Sequence, residues 1–275
     1  LTVTTSLTLT AGTLSIGAHT LTMDTATIAG AGTLTGGATS NLVWVGAAAE
    51  ATVIPTITNG LNTLTLTNSA SLNTGTSYSN LILNGSGDFS TPAALATITS
   101  LTLNRAGGTL NLGADLAVTN SLTLTAGTLS IGAHTLTLAS VTSFSGSVMG
   151  GASSNLVLSG TGNITLPTIT GGLGSLTINR AGYTVSLGAA LSINGAGNLA
   201  LSAGYLSLGN YDLSLSAAST SSGGSASSFV ITGGTGSLIK TYSAAGSFSF
   251  AVGTLNSGTY SYSPITVQMG NISGA

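Results

Sequence analysis

Short apolar triplets with a polar residue at their centre run through most of the chain. Leu101–Leu103, Leu110–Leu112 and Leu122–Leu124 are examples, and the runs end at Gly, Ala-Gly or Asn. Alternation with a period of two predicts short strands that bury one face. Equivalent triplets return after three strands, so that Leu101 and Leu122 lie 21 residues apart. The pattern predicts an all-β chain, a parallel β-solenoid (β-helix) with about 20 residues per turn, in which Leu, Ile and Val stack as inward ladders.

Longer repeats divide the chain into units. Residues 6–22 recur without change at 121–137, and a looser copy spans 198–215. The motif LTLNRAGGTLNLG, which begins at Leu101, returns 75 residues later as LTINRAGYTVSLG. We predict a β-solenoid over 1–228 that consists of a partial unit, a short unit and two full units, at 1–39, 40–78, 79–153 and 154–228.

The repeat ends before the chain does. A Ser/Gly-rich break occupies 217–228, and no copy of the repeat follows it. Residues 229–275 keep the alternation of strands and concentrate Tyr and Phe. We predict that they form a distinct β-rich terminal region or cap.

Charge is almost absent from this pattern. The chain has 3 Lys or Arg, 5 Asp or Glu and 2 His, a net charge of −2, while apolar residues make up 42%. Charged residues account for 3%, where a soluble domain has about 25%. The apolar content suffices for a core, which separates the chain from a disordered Ser/Thr tract. Since like charges stacked about 4.8 Å apart would repel, a solenoid explains the deficit.

The composition excludes several classes of function. Three scattered cations cannot supply the clustered Lys and Arg of a nucleic-acid binder. The chain contains no apolar run as long as the ~18 residues of a membrane helix. Cysteine is absent, which excludes disulfides and thiolate sites. We therefore expect no nucleic acid partner, no membrane span, no cofactor and no metal.

The candidate chemical groups are repeat positions. His19 and His134 occupy the same place in two copies, and we interpret them as corner residues. Arg105 and Arg180 share the sequence Asn-Arg-Ala-Gly. They either bind acidic sugars or satisfy backbone carbonyls at a corner, and we favour the corner.

The carboxylates are spread singly, at Asp24, Glu50, Asp88, Asp115 and Asp212. Glycoside hydrolysis needs a facing pair of carboxylates, and the calcium-binding GGxGxD repeat does not occur in the chain. We assign no catalytic residue and expect that the protein is not an enzyme.

Three segments together resemble a known group of proteins. They are SLTLTAGTLSIGAHTLTL, LTLNRAGGTLNLG and SFVITGGTGSLIKTYSAAGSFSFAVG with its later YSPITV. The combination resembles very large secreted repeat proteins of Bacteroidetes, which are adhesin-like surface proteins often exported by the type IX secretion system. The resemblance implies export, an extracellular or cell-surface location, and adhesive, gliding or structural roles. It also implies O-glycosylation of Thr25 in Asp24-Thr25-Ala26, where an ordinary turn is the alternative. Among partners we also expect cell-surface glycans.

We therefore expect a non-enzymatic extracellular protein, either a segment of a cell-surface adhesin or a self-assembling filament subunit. One alternative is a carbohydrate-active enzyme on a β-helix. Another is ice or glycan binding through outward Thr-x-Thr pairs such as Thr123-x-Thr125.

The two ends carry the predicted contacts with other copies. Solenoid ends expose unpaired strand edges, and Leu1-Thr-Val3 already has the pattern of a strand. We expect another chain or further sequence to cover that end, and head-to-tail association would cover both ends. The segment Tyr260–Met269 would then add to a neighbour's sheet. The predicted contact residues are Leu1, Val3, Tyr260, Tyr262, Ile265 and Val267.

Overall fold

The fold is taken from a computed structural model, which describes residues 1–24, 27–45, 52–53, 56–67, 70–71 and 76–270. In these ranges the regular elements are β-strands, and stacked parallel strands form a β-solenoid of about 11 turns with roughly 21 residues per turn. The predicted fold class is therefore confirmed. The chain folds as two compact units, one of residues 1–130 and 142–146, the other of residues 131–141 and the chain from Ser147 onward.

The strands range in length from the two residues of β1 to the 17 residues of β21. The first fifteen are β1 Thr2–Val3, β2 Ser6–Thr8, β3 Thr13–Ser15, β4 Thr20–Met23, β5 Thr27–Ala29, β6 Thr33–Trp44, β7 Thr52–Val53, β8 Ile57–Leu66, β9 Ala70–Ser71, β10 Tyr78–Gly85, β11 Phe89–Ser90, β12 Thr97–Asn111, β13 Leu116–Ser130, β14 Thr135–Leu138 and β15 Val141–Phe144. The others are β16 Ser147–Met149, β17 Asn155–Leu158, β18 Ile164–Thr165, β19 Ile169–Thr170, β20 Leu173–Ser186, β21 Leu191–Ser207, β22 Leu213–Leu215, β23 Thr220–Gly223, β24 Val230–Ile231, β25 Leu238–Lys240, β26 Gly246–Phe250, β27 Val252–Asn256, β28 Thr259–Tyr262 and β29 Ile265–Met269.

In the first unit, leucines of successive turns lie in register. Parallel pairing of β4, β6, β8, β10, β12 and β13 aligns one residue from each turn. The aligned residues form an unbroken, buried ladder: Leu21, Leu42, Leu64, Leu81, Leu101 and Leu122. Burying a leucine side chain contributes about 1.5–3 kcal/mol, so such ladders are the main source of stability in this unit.

The second unit repeats the arrangement on its own strands. Parallel pairing of β14, β17, β20 and β21 aligns Leu136, Leu156, Leu176 and Leu199, all of them buried. The neighbouring ladder is Leu138, Leu158, Ile178 and Leu201. Between these inward positions the strands place Thr, Ser, Asn and Val outward, as the period of two predicts.

Identical corners in the two units use the same glycine and the same serine. Gly17 and Gly132 have φ angles of +58° and +64°, in the left-handed region that only glycine adopts at low cost. The hydroxyls of Ser40 and Ser154, one turn later, donate to the carbonyls of Gly17 and Gly132. Both serines are buried, so each corner is completed by the turn that follows it.

Parallel stacking continues beyond the end of the sequence repeat. Val230 aligns with Leu206 and with Val252, and Leu238 aligns with Leu213. After Val252 the chain reverses. β27 pairs antiparallel with β28, and β26 pairs antiparallel with β29. The described part of the predicted terminal region thus consists of further rungs followed by two antiparallel pairs.

The buried hydroxyl of Tyr78 allows the cost of an unsatisfied polar group in the core to be measured. Its hydroxyl is buried with no hydrogen-bond partner among the described residues, and burial raises its pKa. Because an unsatisfied buried donor costs about 1–3 kcal/mol, Tyr78→Phe is expected to raise the free energy of unfolding by ~1 kcal/mol. Ionisation of Tyr78 does not affect the stability of the wild type below pH ~10, the usual tyrosine pKa. Above that pH the unfolded chain ionises Tyr78 while the folded protein keeps it neutral, so the free energy of unfolding falls.

Urea unfolding at neutral and alkaline pH checks both parts of this prediction. The wild type should lose stability above pH ~10 more steeply than Tyr78→Phe. A variant that is less stable than the wild type at neutral pH would show that the hydroxyl has a partner.

Candidate functional site

All three basic side chains of the protein donate to backbone carbonyls of earlier turns. Arg105 is fully buried in the first unit. Its Nε lies 2.9 Å from the carbonyl oxygen of Gly87, and its Nη1 lies 2.7 Å from that of Asn84. Its Nη2 donates to the carbonyl of Ser86. The guanidinium is therefore enclosed by three carbonyls of the preceding corner.

Arg180 occupies the equivalent position in the second unit and is also fully buried. Its Nε and Nη2 lie 3.1 and 2.7 Å from the carbonyl oxygen of Gly162. Its Nη1 lies 2.6 Å from the carbonyl oxygen of Ala139, and it donates to that of Ser159 as well. Nη2 also donates to Thr161. Four carbonyls from two earlier turns surround this guanidinium.

Lys240 repeats the arrangement outside the sequence repeat. Its Nζ lies 2.6 Å from the carbonyl oxygens of Ser216 and Ser219 and 2.8 Å from that of Ala217. The same ammonium lies 5.3 Å from the ring centroid of Phe248, within the range of a cation–π contact. Its three N–H donors are satisfied inside the protein.

Burial dominates the electrostatics of these groups. Desolvation lowers the pKa of Arg105, Arg180 and Lys240, opposed at Arg105 by the charge of Asp88 and at Arg180 by Tyr183. An arginine stays protonated in proteins regardless. The corner interpretation of the two arginines is confirmed by their hydrogen bonds, and no guanidinium is exposed for an acidic sugar.

The carboxylates of Asp88 and Asp212 accept hydrogen bonds from backbone amides of the following turn. Asp88 Oδ1 accepts from the Thr109 amide at 2.9 Å, and Asp212 Oδ1 accepts from the Ser237 amide at 2.8 Å. Asn163, the equivalent of Asp88, accepts from the Thr184 amide with its Oδ1 at 2.9 Å. The side-chain amide of Asn163 thus takes the place of the carboxylate at this corner. Glu50 lies outside the described residues.

The two histidines lie at equivalent corners. The carbonyl of His19 accepts from the Asn41 amide at 3.0 Å, and that of His134 accepts from the Asn155 amide at 2.9 Å. The matching bonds agree with their interpretation as corner residues. Within the ranges that the structure describes, no three His, Cys, Asp or Glu side chains lie together as a metal site would require.

Outward side chains form columns that carry no charge. In the first unit one column consists of Thr20, Asn41, Thr63, Asn80, Ser100 and Ser121, and the next consists of Thr22, Val43, Thr65, Ile82, Thr102 and Thr123. We call these twelve residues the first-unit columns. Neighbouring turns lie about 4.8 Å apart and the two columns about 6.6 Å apart. Ser121 donates to Ser100 within its column at 2.9 Å.

The second unit has a corresponding pair of columns. They are Thr135, Asn155, Ser175, Asn198 and Thr220 beside Thr137, Val157, Thr177, Ala200 and Ser222. Thr220 donates to the Asn198 Oδ1 at 3.1 Å, and Asn198 Nδ2 donates to Ser222 at 2.9 Å. Hydrogen bonds between turns therefore hold these polar side chains in fixed positions.

The predicted contact residues of the N-terminal end are accessible. Leu1 is 74% exposed, and its ammonium donates to the carbonyl of Thr20 at 3.0 Å. Val3 is half-buried in β1. Thr25, the predicted glycosylation site, lies outside the described residues.

The predicted contacts of the terminal segment fall into two groups. The Tyr260 ring is stacked on Tyr205, with centroids 3.8 Å apart, and Tyr262 packs against Phe229. Ile265 is 58% exposed in β29. Val267 of the same strand is half-buried. The tyrosines hold the β27–β28 hairpin to its own unit, whereas β29 is accessible.

The aromatic cluster of Tyr205, Phe229, Tyr260 and Tyr262 was missed by sequence reasoning. Tyr205 and Phe229 are buried, and their rings meet edge to face at 5.0 Å between centroids. The hydroxyl of Tyr260 also lies 3.4 Å from that of Thr184. In the sequence, Tyr is concentrated in 242–262. That concentration does not indicate that these rings pack on Tyr205 and Phe229.

The fold and its repeated turns define a β-solenoid repeat protein. Comparison with protein-family models, with curated proteins and with solved structures found no match to this chain. The described residues contain no helix that is long and apolar enough to cross a lipid bilayer.

Proposed function

We propose that this chain is a non-enzymatic structural and adhesive protein that works outside the cell. It acts as a segment of a surface adhesin or as a subunit joined to others end to end. The observation that carries the proposal is the neutral outward face: the columns present hydroxyl, amide and methyl groups in register, while every basic side chain of the chain is held on internal carbonyls.

The first-unit columns suit a neutral, extended ligand. Hydroxyl and amide groups can donate to and accept from sugar hydroxyls, and the methyls of Thr, Val and Ile can contact the apolar faces of sugar rings. Ser121 is held by its hydrogen bond to Ser100 of the neighbouring turn, so its side chain loses little conformational entropy on binding. Neutral cell-surface polysaccharides are therefore the expected adhesive partners.

Adsorption to insoluble neutral and acidic polysaccharides tests the proposal. We expect retention on a neutral glycan that is unchanged between low and high salt, because no free cation takes part and screening acts only on charges. Thr102→Lys should weaken retention ~10-fold, a cost of about 1.4 kcal/mol, by placing a long charged side chain on the column face.

Asn111→Lys is the matched control, since Asn111 lies on the same strand and is half-buried like Thr102 but is outside the columns. Equal loss in both variants, or retention that salt abolishes, would contradict the column surface. Release of reducing ends from the glycan would establish the enzyme alternative. Thermal hysteresis that Thr102→Lys removes would establish the ice-binding alternative.

A further inference from the structure

Two inward ladders of the second unit pass from leucine to a polar residue. Ser221 aligns with Leu199 of the preceding turn, and Lys240 aligns with Leu215. Leu199 and Leu215 are fully buried, so both aligned positions face the inside of the solenoid. Serine and lysine are mostly exposed in proteins. Their presence at two inward positions marks a place where the core is not filled by apolar side chains.

A cavity of about 360 Å³ opens at these two residues. It lies between residues 217–221 and residues 240–249, which belong to successive turns because β22 pairs with β25. Beyond this pairing the second turn leaves the parallel ladder: β23 pairs with β21, whereas β26 pairs antiparallel with β29. The cavity thus lies between two described turns, and its volume is in the range of about 300–1,000 Å³ that small-molecule sites occupy.

The lining combines hydroxyl groups with aromatic surface. Ser221, Ser243 and Ser247 line the cavity, and their hydroxyls have no hydrogen-bond partner among the described residues. Phe248, which is buried, and Tyr242, which is half-buried, line it as well. A few polar groups beside apolar surface are what small-molecule sites present to a ligand. A ligand that carries both hydroxyl groups and apolar ring faces matches this lining.

The charge of the lining favours a neutral ligand. Lys240 is the one charged residue among the described residues that line the cavity, and its ammonium repels a cationic ligand. Its three N–H donors are held by the carbonyls of Ser216, Ala217 and Ser219, so none remains to bind a carboxylate. A neutral ligand needs neither a counter-charge nor a donor from this lysine.

We infer that this cavity binds a short neutral saccharide. The inference rests on the proposed adhesive function and assigns it a second site, in the second unit. Saccharide hydroxyls would replace water at Ser221, Ser243 and Ser247 and reproduce its hydrogen bonds. The apolar face of a sugar ring would lie against Tyr242 and Phe248. A leucine at position 221 would continue the ladder into this space, so the serine leaves the room that the ligand needs.

Soluble sugars and two variants test the inference. Glucose, galactose, mannose, maltose and cellobiose are added to the labelled protein, with glucuronate as the acidic probe, and binding is followed by chemical-shift changes in NMR spectra. The wild type should bind at least one neutral sugar saturably and equally well at low and high salt, because screening acts only on charges. Ser221→Leu should abolish that binding.

Ser214→Leu is the matched control, because Ser214 is half-buried like Ser221 but faces outward on β22. It should bind as the wild type does. Ala245→Trp is a second variant that fills the cavity from an exposed lining position and leaves the ladder intact, so it tests the site even if Ser221→Leu does not fold. It should abolish binding too.

Three results would overturn the inference. They are a wild type that binds none of the neutral sugars, binding that Ala245→Trp leaves unchanged, and tighter binding of glucuronate that salt weakens. A wild type that adsorbs to insoluble glycan but binds no soluble sugar would reject only this cavity. Soluble binding without adsorption would reject only the column surface.

Discussion

Replacing Arg180 by leucine is expected to lower the free energy of unfolding by about 4 kcal/mol. The guanidinium satisfies the carbonyls of Ala139, Ser159, Thr161 and Gly162, and each buried acceptor left unsatisfied costs about 1–3 kcal/mol. Leucine fills much of the space but donates to none of them. Urea unfolding followed by circular dichroism measures the change.

Two further variants separate hydrogen bonding from packing. Arg180→Lys keeps a charge with fewer donors and should recover part of the loss. Arg105→Leu should cost less than Arg180→Leu, because Arg105 satisfies three carbonyls. A change below about 1 kcal/mol in Arg180→Leu would mean that water replaces the guanidinium.

The second large effect is expected from two leucines, Leu129 and Leu14, that occupy the same position in two identical sequence segments. Leu129→Ala should cost about 2–5 kcal/mol, as expected for a buried leucine whose removal leaves a cavity. Leu14→Ala, the same change in the N-terminal copy, should cost ~1 kcal/mol, because Leu14 is only half-buried in the monomer. Leu129 is fully buried.

Urea unfolding of both variants in dilute solution measures the two costs. Equal costs in dilute solution would show that the first turn is already covered in the monomer.

The ladders could be predicted from the sequence because they follow from local pattern. Alternation around Leu101 and Leu122 specifies which side chains face inward, and the length of the repeat specifies which residue stacks on which. The corner arginines were also within reach. Asn-Arg-Ala-Gly recurs in two units, and a cation at a glycine corner has backbone carbonyls as its nearest acceptors.

The contacts beyond the repeat could not be predicted in the same way. Tyr260 stacks on Tyr205. Lys240 donates to the carbonyls of Ser216, Ala217 and Ser219. Both contacts depend on the path of a terminal region whose sequence occurs once in the chain. No second copy exists from which to infer the partners. The columns were only partly foreseen, since the outward Thr-x-Thr pairs are visible in the sequence but their alternation with Asn and Val depends on register.

Arg180 also bears on how the protein would carry a mechanical load. A solenoid pulled along its axis can yield one rung at a time, since each rung is held by bonds to its neighbours alone. The guanidinium of Arg180 donates to the carbonyls of Ala139, Ser159, Thr161 and Gly162, so a single side chain ties together three successive turns. Those turns must give way together, which makes that part of the second unit a point of tensile reinforcement.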